Sequence, residues 1–191
     1  MELILASRSP RRQELIKRIV MDFKVVASDI DESTIKESDP VKFALAAAEI
    51  KARSVGERYP SAVVIGADTI VVYKNKIYGK PADRGDAVRM LKELSGREHQ
   101  VITGVAVFRK ENDKFMSAVE KTDVLFKDLN DDDINAYIND VEVMDKAGAY
   151  GIQDMGESII SSISGDYENV VGLPLKLLKR LLSGFSVPLL P

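Results

Sequence analysis

The segment Ser7-Arg8-Ser9-Pro10-Arg11-Arg12 is the first that is loaded for chemistry. It follows the apolar run Leu3 to Ala6 and opens a helix, with Ser9 as N-cap and Pro10 in the first turn. A helix N-terminus carries unpaired N–H groups and partial positive charge, so carboxylates belong there and cations do not. Arg11 and Arg12 break that rule. A bound polyanion would resolve the conflict, because two hydroxyls, backbone N–H groups and two forked guanidinium groups converge after a strand. The plainer alternative is a capped helix with two solvent-exposed arginines. Successive helical residues lie about 100° apart, so the two guanidinium groups reach in different directions.

Acids follow two strands. Asp29, Asp31 and Glu32 come after Phe23 to Ala27, and Asp68 ends the run Val63-Val64-Ile65-Gly66-Ala67. Facing a phosphate site, such carboxylates could hold Mg²⁺ and orient water for attack at phosphorus. Turn and cap chemistry explains Asp29 and Asp31 taken singly. Asp68 is different, since an unpaired charge at the rim of a buried sheet is costly. Lys51, Lys80 and Lys146 stand in apolar or Gly-rich settings, in an alanine-rich helix, in Gly79-Lys80-Pro81 and in Asp145-Lys146-Ala147-Gly148-Ala149. Each could neutralise a triphosphate as a point charge or snorkel at the surface.

Composition removes other chemistries. The 191 residues include no Cys, which excludes disulfides, thiolate nucleophiles and Cys-ligated metals. One His, His99, is too few for a multi-imidazole site, so any metal must sit on oxygen. With 27 basic and 30 acidic residues, the net charge of −3 argues against a nucleic-acid partner. Leu3 to Ala6 is too short for a signal-peptide core and Ser61 to Ala67 too short to span a bilayer. The chain is expected to be soluble and cytoplasmic, with no membrane partner. Asp131-Asp132-Asp133 reads as capping acid at a helix start. His99 has no Gly-x-Ser-x-Gly elbow to serve, and neither a Walker A nor a Gly-x-Gly-x-x-Gly motif is present.

The elements that must position these residues alternate. Strands are expected at Leu3–Ala6, Phe23–Ala27 and Ala62–Ala67, with a hairpin of Thr69–Tyr73 and Lys76–Tyr78 around Lys74-Asn75. Helices are expected after Ser9, after Asp39-Pro40, and over Arg84–Leu94, Asn130–Ile138 and Leu173–Leu182. His99–Arg109 and Phe115–Phe126 suit a long antiparallel pair. The pattern predicts one α/β domain over residues 1–191, a twisted mixed sheet in two lobes with flanking helices and a central cleft.

Taken together, these segments resemble the Maf family, the septum-formation-inhibitor-like nucleoside triphosphate pyrophosphatases. The likeness runs nearly end to end. It rests on Ser7-Arg8-Ser9-Pro10-Arg11-Arg12, Asp31-Glu32, Lys51 in its alanine-rich helix, Gly66-Ala67-Asp68-Thr69, Gly79-Lys80-Pro81 and Ser95-Gly96 with His99 to Gly104. It continues through Asp145 to Gln153 and Gly165 to Pro174. The resemblance implies a Maf/ITPase-like fold, a homodimer, and hydrolysis of a nucleoside triphosphate to monophosphate and pyrophosphate. It implies Asp68 as proton acceptor and a divalent cation, Mg²⁺ or Mn²⁺, held by Glu32 and Asp68. By their charge, Arg11, Arg12, Lys51 and Lys80, with the Ser7 hydroxyl, would hold the substrate phosphates. Arg12, Thr69 and Gln153 would set base choice in the subgroup acting on dTTP and UTP, with CTP a weaker substrate. Asn139 to Met144 departs from the family's usual turn. The alternative reading is a nucleotide-binding regulator of septum formation and cell division, in which the cleft senses rather than hydrolyses.

Overall fold

The computed structural model of the chain describes residues 2–190, and its elements follow the punctuation of the sequence. Strand β1 (Leu3–Leu5) leads into α1 (Pro10–Ile16), where the Ser9 hydroxyl accepts from Arg12 N–H. Strand β2 (Lys24–Val25) keeps two residues of the expected five, and α2 (Pro40–Gly56) is capped by Asp39. Strands β3 (Val63–Tyr73) and β4 (Lys76–Tyr78) flank Lys74 and Asn75, whose φ values of 48° and 62° suit a two-residue hairpin. Next come α3 (Arg84–Leu94), β5 (Glu98–Arg109), β6 (Lys114–Phe126) and α4 (Asp131–Asp140). Asn130 and Asp133 form a capping box at α4, so the acidic triplet serves the helix start. The chain closes with α5 (Gly156–Ile159), β7 (Ile160–Ser164), α6 (Tyr167–Val171) and α7 (Leu175–Ser183). No helix among the described residues is long and apolar enough to cross a membrane.

The sequence pattern stops a strand before Asp68 and starts a hairpin arm after it. The structure corrects this: β3 is continuous, with Asp68 in its interior. Antiparallel pairing to β5 runs unbroken from Val64↔Phe108 to Val72↔Gln100, so the ladder does not register the charge. That charge is tolerated because a lysine of α2 meets it, as described below.

The sheet order is β2-β1-β3-β5-β6-β7, with β4 also on β3. β1 is parallel to its neighbours and the other pairings are antiparallel, which makes the sheet mixed. β1 and β4 share one edge of β3. β1 pairs with Val63–Ile65 and β4 with Val71–Tyr73. Between Ile65 and Val71 that edge has no strand partner among the described residues. This notch is where the site forms.

Alternation along β3 and β5 separates two faces. Val64, Ile70, Ile102, Ala106 and Phe108 face α2, which presents Ala44, Ala48 and Ala52. A Cβ on Gly66 would lie 2.2 Å from the Ala48 carbonyl oxygen, and one on Gly104 2.2 Å from that of Ala44. The helix therefore rests on bare sheet backbone at both glycines. On the other face, Ile65, Ala67, Val105 and Val107 pack with Leu15 of α1 and Leu178 of α7. Farther along the same strands, Val71, Val101 and Val124 pack with Leu91 of α3 and Ile134 of α4.

Candidate active site

Asp68 and Thr69 occupy the notch of β3 and point to opposite faces, as neighbours on a strand must. On the α2 face, Lys51 Nζ donates to Asp68 Oδ1 at 2.6 Å and lies 2.7 Å from Glu32 Oε1. The Lys51 and Asp68 side chains are only 11% and 9% exposed, whereas Glu32 is half exposed. Asp68 Oδ2 is buried and has no hydrogen-bond partner among the described residues. An orphaned buried carboxylate oxygen is rare enough to point to a missing cation or proton donor.

On the other face Arg12 is held from three sides. Its Nε donates to Gly172 C=O at 2.8 Å, Nη2 to Thr69 Oγ1 at 2.9 Å and Nη1 to Ser7 Oγ at 3.3 Å. Burial lowers the pKa of this guanidinium from its ordinary value. Thr69 Oγ1 is also 2.9 Å from Thr103 Oγ1, its direct cross-strand partner, and Thr103 donates to Asn169 C=O at 3.2 Å. Arg11 turns elsewhere, as helical spacing requires, and its Nη1 donates to Asp145 Oδ2 at 3.0 Å. Burial pushes the Asp145 carboxyl up, but the Lys146 hydrogen bond and the Arg11 charge outweigh it, and the net pKa is lowered.

The three candidate lysines separate by partner. Lys51 is committed to Asp68 and Glu32. Lys146 is buried between Asp145 Oδ1 at 2.9 Å and Asp154 Oδ2 at 3.4 Å, and it also donates to Glu142 C=O, so it is not a loose point charge. Lys80 is exposed and makes no side-chain contact with a charged or hydrogen-bonding partner among the described residues. Gln153 is exposed too, and its amide caps nothing among them. The loop between Lys146 and Gln153 holds Ala149 at φ 63°, a left-handed backbone that costs a non-glycine residue about 1–2 kcal/mol. Such strain gathers at sites whose surroundings enforce it.

All nine residues singled out as site candidates line one cavity of about 920 Å³: Ser7, Arg11, Arg12, Glu32, Lys51, Asp68, Thr69, Lys80 and Gln153. Asp29 and Asp31 reach its rim but are spent locally. Asp29 accepts from Arg8 at 3.0 Å, and Asp31 caps Ser33 N–H, as turn chemistry anticipates. His99 does not line the cavity itself, and its Nε2 is 2.8 Å from Oη of Tyr150, which does. The sequence reading assigned no role to Thr103, Asn169 or Asp145, although all three stand in the quoted segments. Their signal needs the β3–β5 register, which places Thr103 opposite Thr69.

The donor set suits a hard cation. Asp68 contributes the orphaned oxygen and Glu32 a second carboxylate within reach of the same ammonium. No group of three or more His, Cys, Asp or Glu side chains gathers among the described residues. Two carboxylates leave most of an octahedral shell to water and phosphate oxygens, which is how Mg²⁺ is commonly bound at phosphoryl-transfer sites.

A mixed seven-stranded sheet with a charged notch opening between two clusters of helices defines an α/β protein built around a polar cleft. The chain belongs to the family of Maf-like proteins, whose pattern matches residues 2–185. It is 49% identical over 188 residues to the dTTP/UTP pyrophosphatase of Symbiobacterium thermophilum, covering 98% of this chain and 96% of that one. It is 48% identical over 199 residues to the dTTP/UTP pyrophosphatase of Acetivibrio thermocellus, covering 99% and 98%. Among solved structures it is similar to the Staphylococcus aureus Ham1 protein, with a TM-score of 0.57, 16% identity, and coverage of 97% of this chain and 100% of that one. That likeness speaks for the fold alone.

Proposed function

We propose that this chain hydrolyses nucleoside triphosphates, dTTP and UTP before CTP, to the monophosphate and pyrophosphate. The observation that carries the reading is the buried, unpartnered Oδ2 of Asp68, a residue that lines the same cavity as Arg11, Arg12, Lys51 and Lys80. A water oxygen attacks the α-phosphorus and the bond from that phosphorus to the bridging oxygen breaks. Asp68 takes the water proton, and pyrophosphate leaves. Lys51 holds Asp68 through Oδ1 and leaves Oδ2 without a protein partner, free to take the proton. Lys80 and Arg11, with the Ser7 hydroxyl, bind the triphosphate; Arg11 exchanges Asp145 for phosphate. Glu32 and Asp68 would hold Mg²⁺ or Mn²⁺, which when bound offsets phosphate charge.

For the base, the Gln153 amide presents a donor beside an acceptor, complementary to O4 and N3–H of thymine or uracil. Three of the five N–H groups of Arg12 are used within the protein, which leaves two for a base carbonyl or the sugar. The relatives named for dTTP and UTP support this assignment. We further infer that the two lobes act as one domain, in a cytoplasmic homodimer. Product analysis with UTP, run with and without Mg²⁺ or Mn²⁺, tests the reaction. Monophosphate and pyrophosphate in equal amounts, formed only with the cation, are expected. UDP plus inorganic phosphate would overturn it, and tight binding without turnover would favour the division-regulator reading.

A further inference from the structure

The hydrogen bonds around Thr69 have a fixed polarity. Arg12 Nη2 can only donate, so Thr69 Oγ1 accepts from it. At the other end, Asn169 C=O can only accept. Leu173 N–H, the donor that a continued helix would send to it, bonds Glu168 C=O instead. Thr103, fully buried, supplies the donor that the Asn169 carbonyl lacks. Its hydrogen is thereby committed, and only its lone pairs face Thr69. The Thr69 hydroxyl hydrogen must then point inward to Thr103 at 2.9 Å. Gly172 C=O, 3.4 Å away and already taking Arg12 Nε, is a poor second acceptor. Asn169 anchors the chain rigidly, since its amide donates to Val101 C=O and Thr122 Oγ1.

We infer that Thr103 is a positioning residue for base choice: by holding the Thr69 hydrogen inward, it leaves Thr69 an acceptor only towards the cavity. Thr69 lines the same cavity as Gln153. The inference rests on the pyrimidine reading above and adds what that reading lacks. A glutamine amide can flip end for end and pair equally with uracil or cytosine. A hydroxyl whose hydrogen is committed cannot adapt. Its lone pair shares N3–H of thymine or uracil with the Gln153 amide oxygen in a three-centre bond, and opposes the N3 lone pair of cytosine. Discrimination thus resides in a fixed polarity set by the residue behind Thr69.

The test uses UMP and CMP, the reaction products, so that binding is read by calorimetry without turnover. The wild type is expected to favour UMP, and N3-methyl-UMP, which lacks the donor, should bind no better than CMP. Thr103→Val keeps the shape and removes the inward acceptor, freeing the Thr69 hydrogen for cytosine. The UMP-over-CMP ratio should fall roughly ten- to hundredfold, the range for a buried polar group gaining or losing its partner. Thr103→Ser should restore it. A ratio unchanged in Thr103→Val, an equal weakening of both ligands, or a wild type indifferent to the N3 methyl group overturns the inference. Pyrophosphate release from UTP is scored separately. Its absence from the wild type would end the hydrolase reading while the binding ratio still judges Thr103.

Discussion

Lys51, Asp68 and Glu32 show how much a single buried cation organises. Removing two charges from water costs several kcal/mol each, which their attraction repays only with good geometry. Here the contact is 2.6 Å and both side chains are about nine-tenths buried. Breaking the pair from the lysine side strands a carboxylate. Lys51→Met should therefore lose about 3–5 kcal/mol of stability in denaturant melts. Asp68→Asn leaves Lys51 on Glu32, so the fold should hold while kcat falls roughly 10²- to 10⁴-fold, the range for a lost general base. The double variant should regain much of what Lys51→Met loses. Equal melts for the single and double variants would mean that Lys51 does not act on stability through Asp68. The need for a partner was legible in the sequence, because an acid after five small or apolar residues cannot stay unpaired. Its identity was not. Lys51, Lys80 and Lys146 look alike in one dimension, and only the packing of α2 across β3 sorts them.

The notch depends on how closely α2 lies on the sheet. At Gly66 a Cβ would meet Ala48 C=O at 2.2 Å and Ala52 N at 2.7 Å, both backbone atoms of a helix that cannot step aside locally. Gly66→Ala should cost about 3 kcal/mol or more, the upper range for overpacking, and should lift Lys51 from Asp68. A lowered melting temperature together with a lowered kcat in the folded fraction is the expected pair of results. Gly79→Ala, whose Cβ meets nothing within 4 Å, is the stability control and should melt like the wild type. A Gly66→Ala protein that melts with this control would show that α2 has room to retreat. Elements with strong punctuation were readable: α3 spans Arg84–Leu94 and stops at Ser95-Gly96, with Gly96 at positive φ, and the structure adds Asp83 as its cap. The course of β3 through Asp68 was not, since a carboxylate after an apolar run mimics a strand end. The short β7 and α6 gave no periodicity, with Ser161, Ser162 and Ser164 filling β7.

Across the whole molecule, β3 and β5 run through two apolar clusters, one with α1 and α7 and the other with α3 and α4. The candidate site lies at the waist between them, at Asp68 and Thr69, so its geometry requires both clusters to be intact. The second cluster carries a built-in acid sensitivity. His99 is buried there, edge-on to Phe126 and Tyr150, and burial lowers its pKa to about 4 from an ordinary 6.5. A base whose folded pKa is depressed binds its proton more readily in the unfolded chain. Stability is then fully present above pH 6.5 and is lost as pH falls towards 4, below which both states are protonated. The full shift corresponds to about 3 kcal/mol. Carboxylates with lowered pKa values act in a different window: Glu93, held at about 2 by hydrogen bonds from Tyr78, Arg89 and Lys76, keeps its contribution until pH falls below about 4.5. Between pH 6.5 and 5 the histidine is therefore the dominant of these two effects. His99→Gln keeps an amide donor for Tyr150 but does not titrate. Denaturant melts of both proteins at pH 7.5, 6, 5 and 4.5 should show the wild type losing ground steadily to His99→Gln over that range. Parallel curves for the two proteins would mean that His99 gains its proton as easily folded as unfolded, and the second cluster would then have no part in the acid response.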